Sequence, residues 1–197
     1  MSVSDPQELF VHELKDILFA ERTIEKALPK LAREAKDGQL KAAITHHLDE
    51  TQQQIANLTR VFEDLDMAAR GQRCPGIEGL MKEHDEFMKE NKGAPSRVVD
   101  TFLCGAASRT EHYEIAAYTG LVTMAKAMGE DQAAKLLEQN LKQEKETLRT
   151  VEKIGRRLSK SAARNGGAAT RSRRSTTPRR RAATRSRRAT ARTASPS

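Results

Sequence analysis

Apolar residues recur at steps of three and four along four long stretches of the chain, and every stretch is interrupted by glutamate. One row runs Leu14, Ile17, Glu21, Ile24, Leu28, Leu31. A second runs Leu40, Ala43, His47, Glu50, Gln54, Leu58, Val61. A third runs Leu103, Ala106, Thr110, Glu114, Ala117, Leu121, with Glu111 one turn earlier, and a fourth runs Leu137, Leu141, Glu144, Leu148, Val151. That period is the signature of amphipathic helices. A carboxylate on an apolar stripe is costly to bury unless it is paired or bound to a metal. Four that converge in one bundle point to a cation.

Local signals set the expected boundaries. Asp5-Pro6-Gln7-Glu8 combines a capping aspartate, a proline at the first helical position and a capping-box glutamate. The first helix is expected to run to about Ala35, kinked at Pro29 and terminated by Gly38. The second spans about Gln39 to Leu65, and so short a link makes an antiparallel hairpin. Gly71, Pro75, Gly76, Gly79, Gly93 and Pro95 break the pattern over residues 66–95, with a short helix expected near Ile77–Lys89. Ser96 is the expected cap of a third helix ending at Met128-Gly129, and Asp131 the cap of a fourth ending near Leu158. Two antiparallel hairpins joined by one long crossover with a short extra helix make an all-α, ferritin-like four-helix bundle over residues 1–160.

Composition changes the picture in one place. The chain carries +8 overall, yet residues 161–197 hold eleven arginines and no acid, so residues 1–160 carry −3. That stretch has no apolar periodicity and is expected to be a disordered, arginine-rich basic tail. No run approaches the roughly 20 apolar residues of a membrane span. The start MSVSDPQELF lacks the features of a secretory signal, so a cytoplasmic protein is expected. Cys74 and Cys104 read as free thiols, with a redox-active pair as the alternative.

A carboxylate-bridged di-iron or di-manganese site in a bundle takes a glutamate from each of two helices and a Glu-x-x-His pair from each of the others. The chemistry needs several anionic oxygens to neutralise two close divalent cations, and oxygen with imidazole suits iron and manganese. The Glu-x-x-His pattern is absent: Gln53 follows Glu50 and Thr147 follows Glu144 at the third position. His47 precedes Glu50 by three instead. The candidate ligands are therefore Glu21, His47, Glu50, Glu111, Glu114 and Glu144. His112, Tyr118 and Gln54 are the candidates to hold those ligands in place. His112 sits about 100° round the helix from Glu111, which makes it the poorer of the histidines. A buried polar network with no metal is the competing reading.

The runs ELKDILFAERTIEKALPKLA, HHLDETQQQI, EHYEIAAY and LLEQNLKQEKET resemble the YciE/YciF family of ferritin-like, stress-associated bacterial proteins, over roughly residues 5–160. The family's shared positions fall on Glu21, His47, Glu50, Glu111, His112, Glu114 and Glu144. The resemblance implies a helical bundle, a homodimer, and oxidation of Fe(II) by dioxygen or peroxide at two irons. Manganese-dependent peroxide breakdown would use the same ligands. The arginine tail lies outside the resemblance. Its Arg171, Arg173, Arg174, Arg179, Arg180, Arg181, Arg185, Arg187, Arg188 and Arg192 suit bidentate phosphate contacts. No aromatic residue is present there to stack on bases, so the expected partner is DNA or RNA backbone without sequence preference, in a nucleoid-associated protein. The alternative function is a metal-free dimeric bundle that binds DNA.

Overall fold

The computed structural model of the chain describes residues 3–174, and the side chains of residues 3–161. Five helices follow in order: α1 Pro6–Glu34, α2 Gly38–Asp64, α3 Pro75–Glu90, α4 Ser96–Met128 and α5 Asp131–Arg174. No strand occurs among the described residues. The four long helices are those that the apolar rows predict, and α3 is the short helix of the crossover. The packing described below lies within the unit Met1–Ala163.

The start of α1 follows its sequence. Asp5 accepts the amides of Gln7 and Glu8, both at 2.8 Å, and Pro6 opens the helix. Three other boundaries move by one position. Gly38 does not terminate α1; it is the first residue of α2, and Asp37 caps it by accepting from Gln39 and Leu40. Ser96 is the first residue of α4 rather than its cap, and no side chain caps that end. Asp131 is likewise the first residue of α5. The C-terminus of α4 is as expected, with Gly129 left-handed at φ 76°. Helix α5 runs well past Leu158, to Arg174. Residues 175–197, with seven of the ten candidate arginines, lie outside the described residues.

The apolar rows form one core. Leu14, Leu18, Leu40, Leu58, Leu121 and Leu137 are fully buried, together with Phe10, Phe62 and Ile17. Each such side chain contributes about 1.5–3 kcal/mol by leaving water. Leu121→Ala should therefore lower unfolding free energy by about 2–5 kcal/mol, read as a shift of the urea midpoint. A change below about 0.5 kcal/mol would contradict its place in the core.

The crossover is pinned to the bundle. The Gln72 amide donates to the Lys15 carbonyl at 3.1 Å, and a Cβ on Gly71 would come within 3.1 Å of the Phe19 backbone. Helix α3 packs on α1 and α4. Its first turn is capped by the Cys74 sulfur. Gly76 lies against the Tyr113 ring, where an added Cβ would sit 2.8 Å from Cε2. Gly76→Ala should cost about 1–3 kcal/mol by overpacking, and thermal melting would read it; an unchanged Tm would show that the ring moves freely aside. No helix among the described residues is long and apolar enough to cross a membrane.

Candidate metal centre

The four glutamate rows meet in the middle of the bundle. Glu21, Glu114 and Glu144 are fully buried, and Glu111 and His47 nearly so. His47, Glu111, Glu114 and Glu144 each present one donor atom such that all four lie within 4.8 Å of one another. Opposed ligands of a single divalent ion stand about 4–5 Å apart, so the cluster has the span of one coordination shell. His47 Nε2 lies 3.5 Å from Glu111 Oε1, and Nδ1 lies 3.6 Å from Glu50 Oε2. Both distances are too long for strong hydrogen bonds.

Fixed donors hold some carboxylate oxygens and leave others bare. Tyr118 donates its hydroxyl to Glu21 Oε1, and Gln54 donates Nε2 to Glu144 Oε1. Asn140 Nδ2 donates to the Tyr118 oxygen at 3.1 Å, and Asn57 Nδ2 donates to Asn140 Oδ1 at 2.7 Å. The second oxygens of Glu21, Glu111 and Glu144, both oxygens of Glu114 and both nitrogens of His47 have no hydrogen-bond partner. Buried polar atoms are normally satisfied, and leaving one bare costs about 1–3 kcal/mol. Five bare carboxylate oxygens, with the one ring nitrogen that a neutral histidine leaves free to ligate, fit the demand of divalent cations for oxygen and imidazole.

Electrostatics agree with a site short of positive charge. Burial pushes the Glu21 carboxyl well above its usual range, with Glu144 adding to the effect against the Tyr118 hydrogen bond. Burial likewise raises Glu111, reinforced by Glu144, and Glu114, reinforced by Glu144 and Glu21. Glu50 differs. Burial raises it, but the nearby His47, the Thr147 hydrogen bond and the nearby His46 outweigh that, so its carboxyl ionises more easily than usual. Thr147 donates to Glu50 Oε2 at 3.0 Å.

The placement of each sequence candidate is thus plain. Glu111, Glu114, Glu144 and His47 come together; Glu21 adjoins them; Glu50 stands at the rim with its side chain 13% exposed. Tyr118 and Gln54 hold carboxylates, as expected of them. His112 does not reach the site: it is exposed and pairs with the Ser108 carbonyl at 2.7 Å. Tyr113, next to His112, donates to Asp16 at 2.7 Å, with the Cys74 sulfur 2.9 Å from its oxygen. Cys74 and Cys104 are both free and buried. Burial, with Asp100 nearby, pushes the Cys104 thiol up to about 11. Sequence reasoning missed Asn57 and Asn140. Asn140 precedes Glu144 by four and follows Leu137 by three, so its place on the stripe was available as a signal.

Residues 5–164 match the domain of unknown function DUF892. The chain belongs to the DUF892 family. Protein YciF of Escherichia coli K12 is 36% identical over 148 residues, covering 75% of this chain and 88% of its own. The crystal structure of the E. coli stress protein YciF superposes with a TM-score of 0.76 at 33% identity, over 80% of this chain and 99% of that one. YcfI from Rhodopseudomonas palustris matches with a TM-score of 0.74 at 38% identity, over 77% of this chain and 95% of that one. The helical bundle is therefore shared with these two solved structures, and in this chain the buried His47, Glu111, Glu114 and Glu144 could hold a metal ion.

Proposed function

We propose that the bundle is a di-metal carboxylate centre that oxidises Fe(II), in a stress-response protein like its E. coli relative. The observation that carries this reading is the meeting of buried donor atoms of His47, Glu111, Glu114 and Glu144 within 4.8 Å, with bare carboxylate oxygens on those glutamates and on Glu21. These residues would hold the metal, with Glu50 as a further donor at the rim. The four buried carboxylates sum to −4 when ionised, which two divalent cations neutralise. Iron supplies the redox chemistry when bound, each Fe(II) passing one electron to dioxygen or peroxide and becoming Fe(III). The chain's own residues supply the rest. Tyr118 and Gln54 occupy one oxygen each of Glu21 and Glu144 and leave the other free to ligate. The Asn57–Asn140–Tyr118 chain fixes the tyrosine. Thr147 orients Glu50. Manganese with peroxide fits the same donors.

Anaerobic titration with Fe(II), followed by exposure to oxygen, tests this directly. Saturation near two ions per chain and oxidation faster than in buffer are expected; absence of binding sinks the proposal. A metal-free bundle is favoured by one observation, the upward shift of the Glu21, Glu111 and Glu114 carboxyls, which lets protons take the place of cations.

The resemblance also implies a homodimer, which sedimentation equilibrium checks. For the tail, the reading rests on sequence: arginines spaced by Ser, Thr and Ala bind nucleic-acid phosphates and place the oxidase beside DNA or RNA. Consuming Fe(II) there denies DNA the reagents of hydroxyl-radical formation. Removal of Arg171–Arg192 should abolish low-salt DNA binding and leave metal content unchanged. Native binding should weaken steeply with salt, as counterion release requires. Equal DNA shifts by the truncated and full chains would overturn the assignment.

A further inference from the structure

A cavity of about 50 Å³ lies between α3 and the long helices. Ile24, Ile44, Leu103 and Val151 form its walls, and Leu80 and Met81 of α3 roof it. The lining also includes His47 and Glu111, two of the clustered donors. An almost wholly apolar space therefore abuts a polar cluster whose donor atoms are bare.

Size and chemistry narrow what the cavity takes. A water needs about one probe sphere of space and also two to four polar partners, so it is disfavoured in the apolar part of the cavity, away from His47, His84, Thr110, Glu111 and Thr147. A cavity of about 150 Å³ admits benzene. One of a third that size admits one small molecule of two or three heavy atoms. Among oxidants, peroxide keeps hydrogen-bond partners only beside the polar lining residues such as His47 and Glu111, and against Ile24, Ile44, Leu80, Leu103 and Val151 it would lose them at a cost of several kcal/mol. Dioxygen has none to lose.

The roof is held in place by charged pairs. Lys30 reaches Asp85 at 2.7 Å, His84 reaches Glu34 at 2.8 Å, and Arg109 reaches Glu83 at 2.8 Å. Phe87 stacks on Phe102 with centroids 3.6 Å apart. Helix α3 is thus tied to α1 and α4 over the cavity.

We propose that this α3-roofed cavity is a dioxygen site that feeds the carboxylate cluster from the His47 and Glu111 side. The feeding step rests on the metal reading above; occupancy of the cavity by a small apolar molecule does not. Dioxygen, rather than peroxide, then becomes the oxidant that the chain admits by this route.

Xenon is the probe for the cavity itself. Crystals of the full chain pressurised with xenon should show one atom between Leu80, Leu103 and His47. An empty cavity under xenon pressure overturns the proposal. Ala106→Leu should fill the space and expel xenon, with Leu80→Phe as a second filling variant should the first fail to fold. In a filled variant with native metal content, oxygen-driven Fe(II) oxidation should slow roughly tenfold while the peroxide-driven rate holds. An unchanged oxygen rate in a variant that has lost xenon contradicts the proposal. Failure of the metal reading looks different: the native chain then binds no Fe(II), whatever xenon does.

Discussion

Glu114→Gln combined with Glu144→Gln should remove metal binding and leave the metal-free bundle at least as stable as the native chain. Both carboxylates lie in the four-donor cluster, and three of their four oxygens are bare. An amide of the same shape offers no anionic oxygen, so each change should weaken binding by about a hundredfold or more. Stability should move the other way. Glu114→Gln removes the cost of holding a proton on a buried carboxyl above its usual range, so the metal-free bundle should be unchanged or stabilised. The Gln54 amide can still donate to the carbonyl of a glutamine at 144, so its bond to that side chain survives. Metal analysis and urea melts of the same preparations check both halves. Retention of native metal content contradicts the site. A loss of several kcal/mol in the metal-free form would show instead that the carboxylates hold the core together.

Metal-free protein should lose stability as pH rises from about 5 to 8, and loading with metal should flatten that slope. Glu21, Glu111 and Glu114 all have their ionisation pushed up by burial first and by neighbouring carboxylates second. The unfolded chain releases these protons near pH 4.3. Above that, the folded chain holds more protons than the unfolded one, so unfolding becomes easier with each step in pH. The slope is at most about 1.4 kcal/mol per pH unit for each carboxyl still protonated in the fold. Below the unfolded value both states are protonated and this penalty vanishes. Bound cations replace the protons and remove the dependence. Thermal melts of metal-free and metal-loaded protein across that range give the comparison. A metal-free Tm that rises from pH 5 to 8 would run against this account of the core.

The bundle was legible because a period of three to four survives every polar interruption. Leu14 to Leu31 and Leu137 to Val151 each keep one face even though Glu21 and Glu144 sit in the middle. Periodicity gives a face, but not a depth along it. Glu50 is on its stripe yet ends at the rim, where Thr147 and the histidines hold it ionised. His112, one residue from Glu111, turns 100° away and meets the surface. Helix ends were less legible. Asp37 takes the capping role at the α1–α2 link because its carboxylate reaches two free amides of α2, which a glycine cannot do. The Asn57–Asn140–Tyr118 chain was missed because asparagine is common on wet helix faces, although Asn140 lies on the stripe of Leu137 and Glu144. The apolar cavity has no linear signature at all, since five helices line it.

The central claim is that the buried glutamates hold metal. Anomalous diffraction from crystals of the full chain grown with Fe(II) or Mn(II), measured at the metal's absorption edge, tests it most directly. The account predicts a peak about 2–2.5 Å from donor atoms of His47, Glu111, Glu114 and Glu144, with a second peak beside Glu21. No anomalous peak in the bundle, with the carboxyls hydrogen-bonded to one another instead, would contradict it.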